Sequence, residues 1–157
     1  MEDLISEGKI QNSDIVGEVH CMHPNFLQAE LELSLQNLKV DTLDLYYLHN
    51  AAESQLALVG DQVFYERLAR ALEFLEEKRQ EGKIQNYGLA TWNCFRSPPW
   101  EEGVYVSLEK IVKLAEEVCG ADHGLRYIQV PMNTLMYEAY SCLWQTMDKE
   151  MVEKDMR

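Results

Sequence analysis

Short apolar runs alternate with longer segments of helical periodicity, and this alternation limits the possible fold more than any other feature of the chain. The apolar runs lie at residues 15–22, 43–48, 85–90 and 127–130. Between two of them, Phe64, Leu68 and Leu72 recur at the spacing of a buried helix face. Strands that alternate with helices of this length predict right-handed βαβ units. The predicted fold class is therefore α/β with a parallel sheet, either closed into a barrel or open.

Residues that favour helix ends indicate where the helices begin and stop. Pro24 suits a first helical position, and Ser107 can cap the start of a later helix. Gly82 is placed to end the long central helix. Residues 50–61 predict a loop before that helix, and apolar residues four apart predict a last helix from 138 to about 151.

The charge balance excludes two kinds of partner. The 157 residues are 46% hydrophobic, enough for one buried core, and carry 14 basic and 27 acidic side chains, a net charge of −13. This charge repels nucleic-acid backbones and anionic lipids. No run approaches the roughly 20 apolar residues of a membrane helix, and the first ten residues lack the pattern of a secretory signal. We expect no nucleic-acid partner, no membrane association and a cytoplasmic location.

Cysteines and histidines give no metal-site pattern. Cys21, Cys94, Cys119 and Cys142 are scattered without a CxxC pair, which indicates free thiols. His20 and His23 lie close in sequence, but on a strand their side chains would point to opposite faces. We therefore predict no metal site.

Polar residues stand where the predicted strands end, which is where parallel α/β proteins collect their chemistry. His49 ends one strand, residues 91–93 follow the next, and residues 129–133 follow the last. His49 has two interpretations. It is either a buried, hydrogen-bonded imidazole or a neutral imidazole on a pocket floor, where it donates a hydrogen bond or moves a proton.

Three segments stand out by their order and spacing: LQNLKVDTLDLYYLHN (35–50), EGKIQNYGLATWN (81–93) and IQVPMN (128–133). Together they resemble the aldo-keto reductases, which are (β/α)8 barrel enzymes that reduce carbonyls with NADPH. Their order and intervals match the family across about residues 15–140, while 141–157 form an unmatched tail. The resemblance implies one partial domain, 1–157, built of parallel (β/α) units and covering about strands three to six of a TIM-type barrel.

The resemblance also implies a site. His49 matches the family's active-site histidine beside the substrate carbonyl. Gln129 matches the glutamine that binds the nicotinamide carboxamide, and Thr91 stands where an asparagine usually makes the same contact. Ala90 replaces the family's serine. The implied cofactor is NADP(H), and the implied substrate is a small carbonyl compound.

Other catalytic positions of the family have no match in this sequence. The family carries a tyrosine, a lysine and an aspartate on its first three strands, whereas the single strand predicted before His49, at 15–22, has no lysine. The later loops that hold the cofactor phosphates are also unmatched. We therefore expect a truncated reductase domain that is inactive on its own. The alternatives are a non-catalytic remnant that acts through protein contacts and, more remotely, an unrelated α/β domain.

Two further expectations concern surfaces. Four parallel strands would leave open edges and an exposed apolar face, which predicts self-association or a partner chain that completes the barrel. In the loop 92–105, Trp92, Phe95 and Trp100 either wall a substrate pocket, with Arg96 meeting a substrate carboxylate, or cover the end of the sheet.

Overall fold

A parallel three-stranded sheet forms the centre of the protein. The structure, a computed structural model, describes residues 1–146. Its elements are α1 (Glu2–Ser6), a 3-10 turn (Asn12–Asp14), β1 (Ile15–Val16), β2 (His20–Cys21), α2 (Pro24–Leu38), β3 (Leu43–His49), α3 (Ala51–Gln80), β4 (Ile84–Ala90), α4 (Leu108–Cys119), β5 (Leu125–Gln129) and α5 (Glu138–Ser141). Strands β3, β4 and β5 are neighbours in that order and run parallel. The predicted α/β class with parallel units is confirmed.

The first predicted strand is a hairpin instead. Residues 15–22 hold β1 and β2, which pair antiparallel with each other. Gly17 and Glu18 have φ of 58° and 66°, the left-handed geometry that reverses a chain tightly. The expectation of a strand at 15–22 in the main sheet is therefore wrong. The described residues contain three parallel strands where the sequence predicts four.

The predicted loop at 50–61 is also wrong, because most of it is helical. Helix α3 begins at Ala51 and is interrupted at Gly60, whose φ of 77° and ψ of 166° are not helical. The segment before Gly60 buries Ala51, Ala52 and Leu56 in the core. Burial of these side chains stabilises a helix that periodicity alone does not reveal.

One face of the sheet carries the core. The apolar side of α3 is fully buried, at 1% exposure or less for Phe64, Leu68, Ala71, Leu72 and Leu75. It packs with side chains of α2, α4 and the sheet into a single cluster. The opposite face leaves Tyr127 half exposed. This second face and the strand ends are the surfaces on which a site can form.

The helix ends follow the predicted capping residues. Pro24 is the first residue of α2, and the Nδ1 atom of His23 accepts a hydrogen bond from the Asn25 N–H at 3.2 Å. The Ser107 hydroxyl oxygen accepts from the Lys110 N–H at 3.2 Å and caps α4. Gly82 follows α3 with a φ of 73°. These predictions are confirmed, and His23 is a helix cap.

The last predicted helix is shorter than expected where the chain is described. Helix α5 ends at Ser141, and residues 142–146 have no regular secondary structure. The Gln145 side chain accepts from the Leu108 N–H at 2.8 Å and donates to the Val106 carbonyl at 3.0 Å, which fixes this segment at the start of α4. The part of the prediction beyond residue 146 lies outside the described residues.

A buried carboxylate joins three elements at the other end of the sheet. Glu76 of α3 accepts hydrogen bonds from the Tyr87 hydroxyl at 3.0 Å, the Gly124 N–H at 2.9 Å and Arg79 Nε at 2.8 Å. Burial acts to raise the pKa of Glu76, but the bonds from Arg79, Gly124 and Tyr87 together outweigh it and hold that pKa below its ordinary value. Glu76 thus binds β4 and the α4–β5 loop to α3.

Candidate functional site

The ends of the three parallel strands bring the predicted site residues together. In the register of the sheet His49 pairs with Ala90, and Ala90 pairs with Gln129. Paired residues on neighbouring strands point to the same face and are about 4.8 Å apart per strand. The side chains of His49 and Gln129 are both exposed, whereas Leu48 points into the core. The interpretation of His49 as a buried imidazole is therefore wrong.

Thr91 lies next to this row but is mostly covered. It is 7% exposed, and its hydroxyl donates to the Gln129 carbonyl at 3.3 Å. Its backbone N–H donates to the same oxygen at 2.8 Å. The hydroxyl hydrogen is thus used inside the sheet, so only the lone pairs of this oxygen remain for a ligand.

The two tyrosines before His49 point in opposite directions. Tyr46 packs against the core, and burial, assisted by the Glu30 carboxylate, raises its pKa to about 12. A tyrosine that donates a proton at neutral pH needs a lowered pKa. The Tyr47 ring lies over Gly88 on the site face, where an added Cβ would come within 2.8 Å of it. Both positions are those of packing residues.

A single carboxylate oxygen organises the loop after β4. Glu53 Oε1 accepts hydrogen bonds from the backbone N–H groups of Trp92, Asn93 and Cys94, at 2.8, 2.7 and 3.0 Å. The second oxygen, Oε2, is buried without a hydrogen-bond partner among the described residues. Glu53 escapes sequence reasoning because it lies in the segment predicted to be a loop, and its distance in sequence from residue 92 gives no signal.

Arg96 is bound within the chain. Its guanidinium is buried, forms an ion pair with Glu138, and donates to the Trp92 carbonyl at 2.9 Å and to Asn93 Oδ1 at 3.3 Å. The carboxylate that Arg96 meets is therefore Glu138 of the same chain.

The aromatic residues of the loop 92–105 differ in whether they are packed in the protein or open to a ligand. Phe95 is buried in the core. Trp92 and Trp100 are exposed, at 52% and 75%. Packing accounts for Phe95, and only the two tryptophans are open to a ligand.

These groups fit the carboxamide of a nicotinamide cofactor but not its phosphates. The exposed Gln129 amide can bond a carboxamide, and Thr91 can only accept from it. In residues 49–53, 90–107 and 129–146, which carry the strand ends and their loops, Arg96 is the sole lysine or arginine, and its guanidinium is engaged as described. The described strand ends therefore offer no free cation for the cofactor phosphates.

His20 also reaches the strand end, a contact that sequence reasoning missed. Its Nε2 lies 3.1 Å from the backbone carbonyl oxygen of His49. A groove of about 320 Å³ runs along this edge of β3, between the hairpin and α2, and is lined in part by His20, Tyr46, Tyr47 and His49. The hairpin fold, which the sequence hides, is what makes this contact possible.

Two kinds of site or element are not found in the part of the chain that the structure describes. Residues 1–146 contain no group of three or more metal-ligating side chains. No helix within them has the length and apolar character needed to span a bilayer.

Comparisons with known proteins give the family. A search of curated proteins found no match. Among solved structures, the glycerol dehydrogenase AKR11B4 from Gluconobacter oxydans is similar, with 23% identity and a TM-score of 0.48. The similarity covers 73% of this chain, which spans 26% of that enzyme's length. The family model for aldo/keto reductases matches residues 1–97, which is more than half of the sequence and includes His49 and Thr91. The chain belongs to the aldo/keto reductase family.

Proposed function

We propose that this chain contributes a substrate-facing histidine and a nicotinamide-facing strand end to a site for NADPH-dependent reduction of carbonyl compounds. The observation that supports this is the row of His49, Ala90 and Gln129 on adjacent strand ends, with the two polar side chains exposed on one face. His49 donates a hydrogen bond to the substrate carbonyl oxygen, and Gln129 binds the carboxamide. The bound cofactor supplies the hydride.

The proposal includes inactivity of the 157 residues by themselves. General acid catalysis contributes roughly 10² to 10⁴ in rate, and the family's tyrosine and lysine are unmatched here. The cofactor also lacks phosphate partners at the described strand ends, because the Arg96 guanidinium is paired with Glu138. The His49–Gln129 row is thus one part of a site whose other groups come from elsewhere.

A protein-interaction role is the second candidate, and the surface after β5 favours it. Between residues 130 and 146 the apolar side chains of Met132, Leu135, Tyr137, Tyr140 and Leu143 are exposed. The one charged residue in that range is Glu138, which is paired with Arg96. In a chain of net charge −13, an uncharged apolar surface of this kind suits contact with another protein.

The first experiment measures cofactor binding and turnover by the purified chain. Each charge-assisted phosphate bond contributes on the order of 1.5 to 3 kcal/mol, so the loss of several weakens binding by several powers of ten. We expect no NADPH binding by calorimetry at micromolar concentrations and no reduction of a panel of aldehydes. His49→Ala and the control His23→Ala, which alters the N-terminal cap of α2, should then behave like the wild type.

A complementation experiment tests the proposed roles of His49 and Gln129 in a completed site. The remaining strands of an aldo/keto reductase barrel are supplied as a second polypeptide. NADPH binding should then appear and weaken in Gln129→Ala, and turnover should be lost in His49→Ala but kept in His23→Ala. Turnover by the chain alone that disappears in His49→Ala would contradict the proposed inactivity. Complemented turnover that survives His49→Ala would contradict the role of His49.

The second experiment tests association through the apolar surface after β5. We expect the isolated chain to form oligomers by size-exclusion chromatography with light scattering, because this surface and the edges of β3 and β5 are open. The double variant Leu135→Lys/Leu143→Lys should have a lower mass. The control Leu58→Lys, at a position 69% exposed on α3, should not. A wild-type monomer with a sharp two-state melt would contradict the prediction.

A further inference from the structure

A chain of hydrogen bonds leads from α3 to the backbone of His49. Arg67 NH1 donates to Gln55 Oε1 at 3.1 Å, and the Gln55 Nε2 atom is 3.0 Å from His20 Nδ1. His20 Nε2 is 3.1 Å from the His49 carbonyl oxygen. Arg67 also donates to the Ser13 carbonyl at 2.7 Å, which fixes its position beside the hairpin. Gln55 is completely buried, so its amide has no water to bond instead.

The chemistry of the two ends determines the direction of every bond in this chain. A guanidinium only donates, so the Gln55 atom facing Arg67 is the carbonyl oxygen and the one facing His20 is the NH₂ group. That group donates to His20 Nδ1, which must therefore carry no proton. At the other end the His49 carbonyl only accepts, so His20 Nε2 must carry the proton. The bond from Gln55 selects the neutral Nε2–H tautomer of His20, and the bond to the His49 carbonyl agrees with it by excluding the Nδ1–H tautomer.

Protonation of His20 conflicts with this arrangement. A proton on Nδ1 would face the Gln55 NH₂ group, and two donors cannot bond each other. His20 is half-buried, and burial, partly offset by the bond to the His49 carbonyl, holds the pKa of His20 below its ordinary value of 6.5. The bond from the Gln55 NH₂ group to Nδ1 is therefore complete above about pH 6.5 and is lost as the pH falls through the lower folded-state pKa. The bond from Nε2–H to the His49 carbonyl is kept, because Nε2 carries its proton in both forms.

Several charged or titratable groups face His20 from the elements around it. They are Cys21 on β2, Glu30 on α2, Tyr46, Tyr47 and His49 on β3, and Glu53 and Arg67 on α3. Of these, the His49 side chain lowers the pKa of His20 through its charge, and the Glu53 carboxylate raises it. Both of these electrostatic effects are smaller than the effect of burial. Burial and the direction of the hydrogen bonds therefore agree on a neutral His20 at neutral pH.

We propose that His20 is the positioning residue of the candidate site, a neutral Nε2–H imidazole that ties the hairpin to the backbone of His49 and is held in orientation by Gln55 through a bond that protonation of Nδ1 breaks. Its meaning for carbonyl reduction rests on the proposed function of His49. The tie itself does not, because it consists of contacts within the chain.

Nuclear magnetic resonance of the full chain labelled with [15N]histidine tests the tautomer directly. The sequence has four histidines, so each ring can be assigned by single substitution of the others. Magic-angle spinning gives the same readout if the chain is oligomeric. At pH 7.5 we expect His20 to carry one ring proton, on Nε2, and to titrate with a midpoint below 6.5. A proton on Nδ1 or a cation at pH 7.5 would overturn the proposal.

A second experiment reverses the direction of the hydrogen bond between residue 55 and His20, within the chain of bonds from Arg67 to His20 that is here called the relay. In Gln55→Glu the group facing His20 can only accept, so Nδ1 should become protonated and the midpoint of His20 should rise by about 1 to 3 units. Gln80→Glu is the matched control, with the same charge change at an exposed position of α3. It should leave the midpoint unchanged. An unchanged midpoint in Gln55→Glu would refute the relay.

The positioning of His49 is read from its own backbone carbonyl 13C resonance. This resonance should show an inflection at the His20 midpoint, and the inflection should move with that midpoint in Gln55→Glu. His20→Gln keeps a donor and an acceptor without a titrating group, so it should keep the neutral-pH shift and lose the inflection. His20→Leu should displace the resonance at every pH. Identical His49 carbonyl shifts at every pH in the wild type, His20→Gln and His20→Leu would refute the positioning role of His20.

None of these measurements uses cofactor or turnover. A positive result here beside complemented turnover that survives His49→Ala would refute the role of His49 in reduction and leave the tie intact. The reverse pair of results would refute the tie and leave the role of His49 standing.

Discussion

Replacing Gly88 with alanine is expected to separate β5 from β4 and to lower the free energy of unfolding by on the order of 3 kcal/mol. A Cβ at this position would lie well inside 3.0 Å of the Tyr127 carbonyl oxygen and at 2.8 Å from Tyr47 Cε1. The Tyr47 ring can rotate away. The Tyr127 backbone cannot move without breaking the pairing of Gly88 with Tyr127.

Urea unfolding followed by circular dichroism, at one fixed protein concentration, measures the effect. Hydrogen exchange should show earlier loss of protection in β5 than in β3. Gln85→Ala, at an exposed position of β4, is the control and should change stability by no more than about 0.5 kcal/mol. Equal stability of Gly88→Ala and the wild type would mean that the two strands are farther apart than the structure shows.

The second large effect is expected for Glu76→Ala. Removal of this carboxylate leaves the Tyr87 hydroxyl and the Gly124 N–H buried without their acceptor. Each unsatisfied buried donor costs about 1 to 3 kcal/mol, so we expect a loss of about 3 kcal/mol in the same urea experiment. Glu77→Ala is the control, because Glu77 is the exposed neighbour on the same helix. A small effect at Glu76 would show that water replaces the lost oxygen atoms.

The pH dependence of stability provides an independent check on Glu76. Its folded-state pKa is below the ordinary value of 4.5, so its contribution is complete above about pH 4.5 and is lost as the pH falls through the lower folded value. Glu76→Gln cannot titrate and should flatten this part of the acid limb. An acid limb of the same slope in both proteins would contradict the lowered pKa.

The features that the sequence predicts well are those in which local and tertiary preferences agree. Leu68 and Leu72 lie on a helical stripe that is fully buried, and Ser107 caps the helix that its position predicts. The positions of His49 and Gln129 at the carboxyl ends of β3 and β5, on either side of β4, also follow from the pattern, because parallel strands place their carboxyl ends at one edge of the sheet. What His49 and Gln129 do in a reaction stays a prediction.

The features that it misses depend on contacts between distant parts of the chain. The run at 15–22 has the composition of one strand, and only the left-handed conformations of Gly17 and Glu18 divide it into two. Ala51–Leu56 carries no clear stripe, yet it becomes helical because it packs on the core. The tie from His20 to His49 spans 29 residues, and the orientation of the imidazole is fixed by Gln55 and Arg67, which no local pattern connects to it.

The carboxylate of Glu53 has a consequence for any ligand that reaches the strand ends. Its Oε1 fixes the backbone of Trp92, Asn93 and Cys94 through three hydrogen bonds within the chain. Ordering one backbone residue costs about 1 to 2 kcal/mol of conformational entropy. For these three residues that cost is met when the chain folds. A molecule that binds beside Thr91 therefore meets an ordered loop, and its affinity is not reduced by the loss of freedom there.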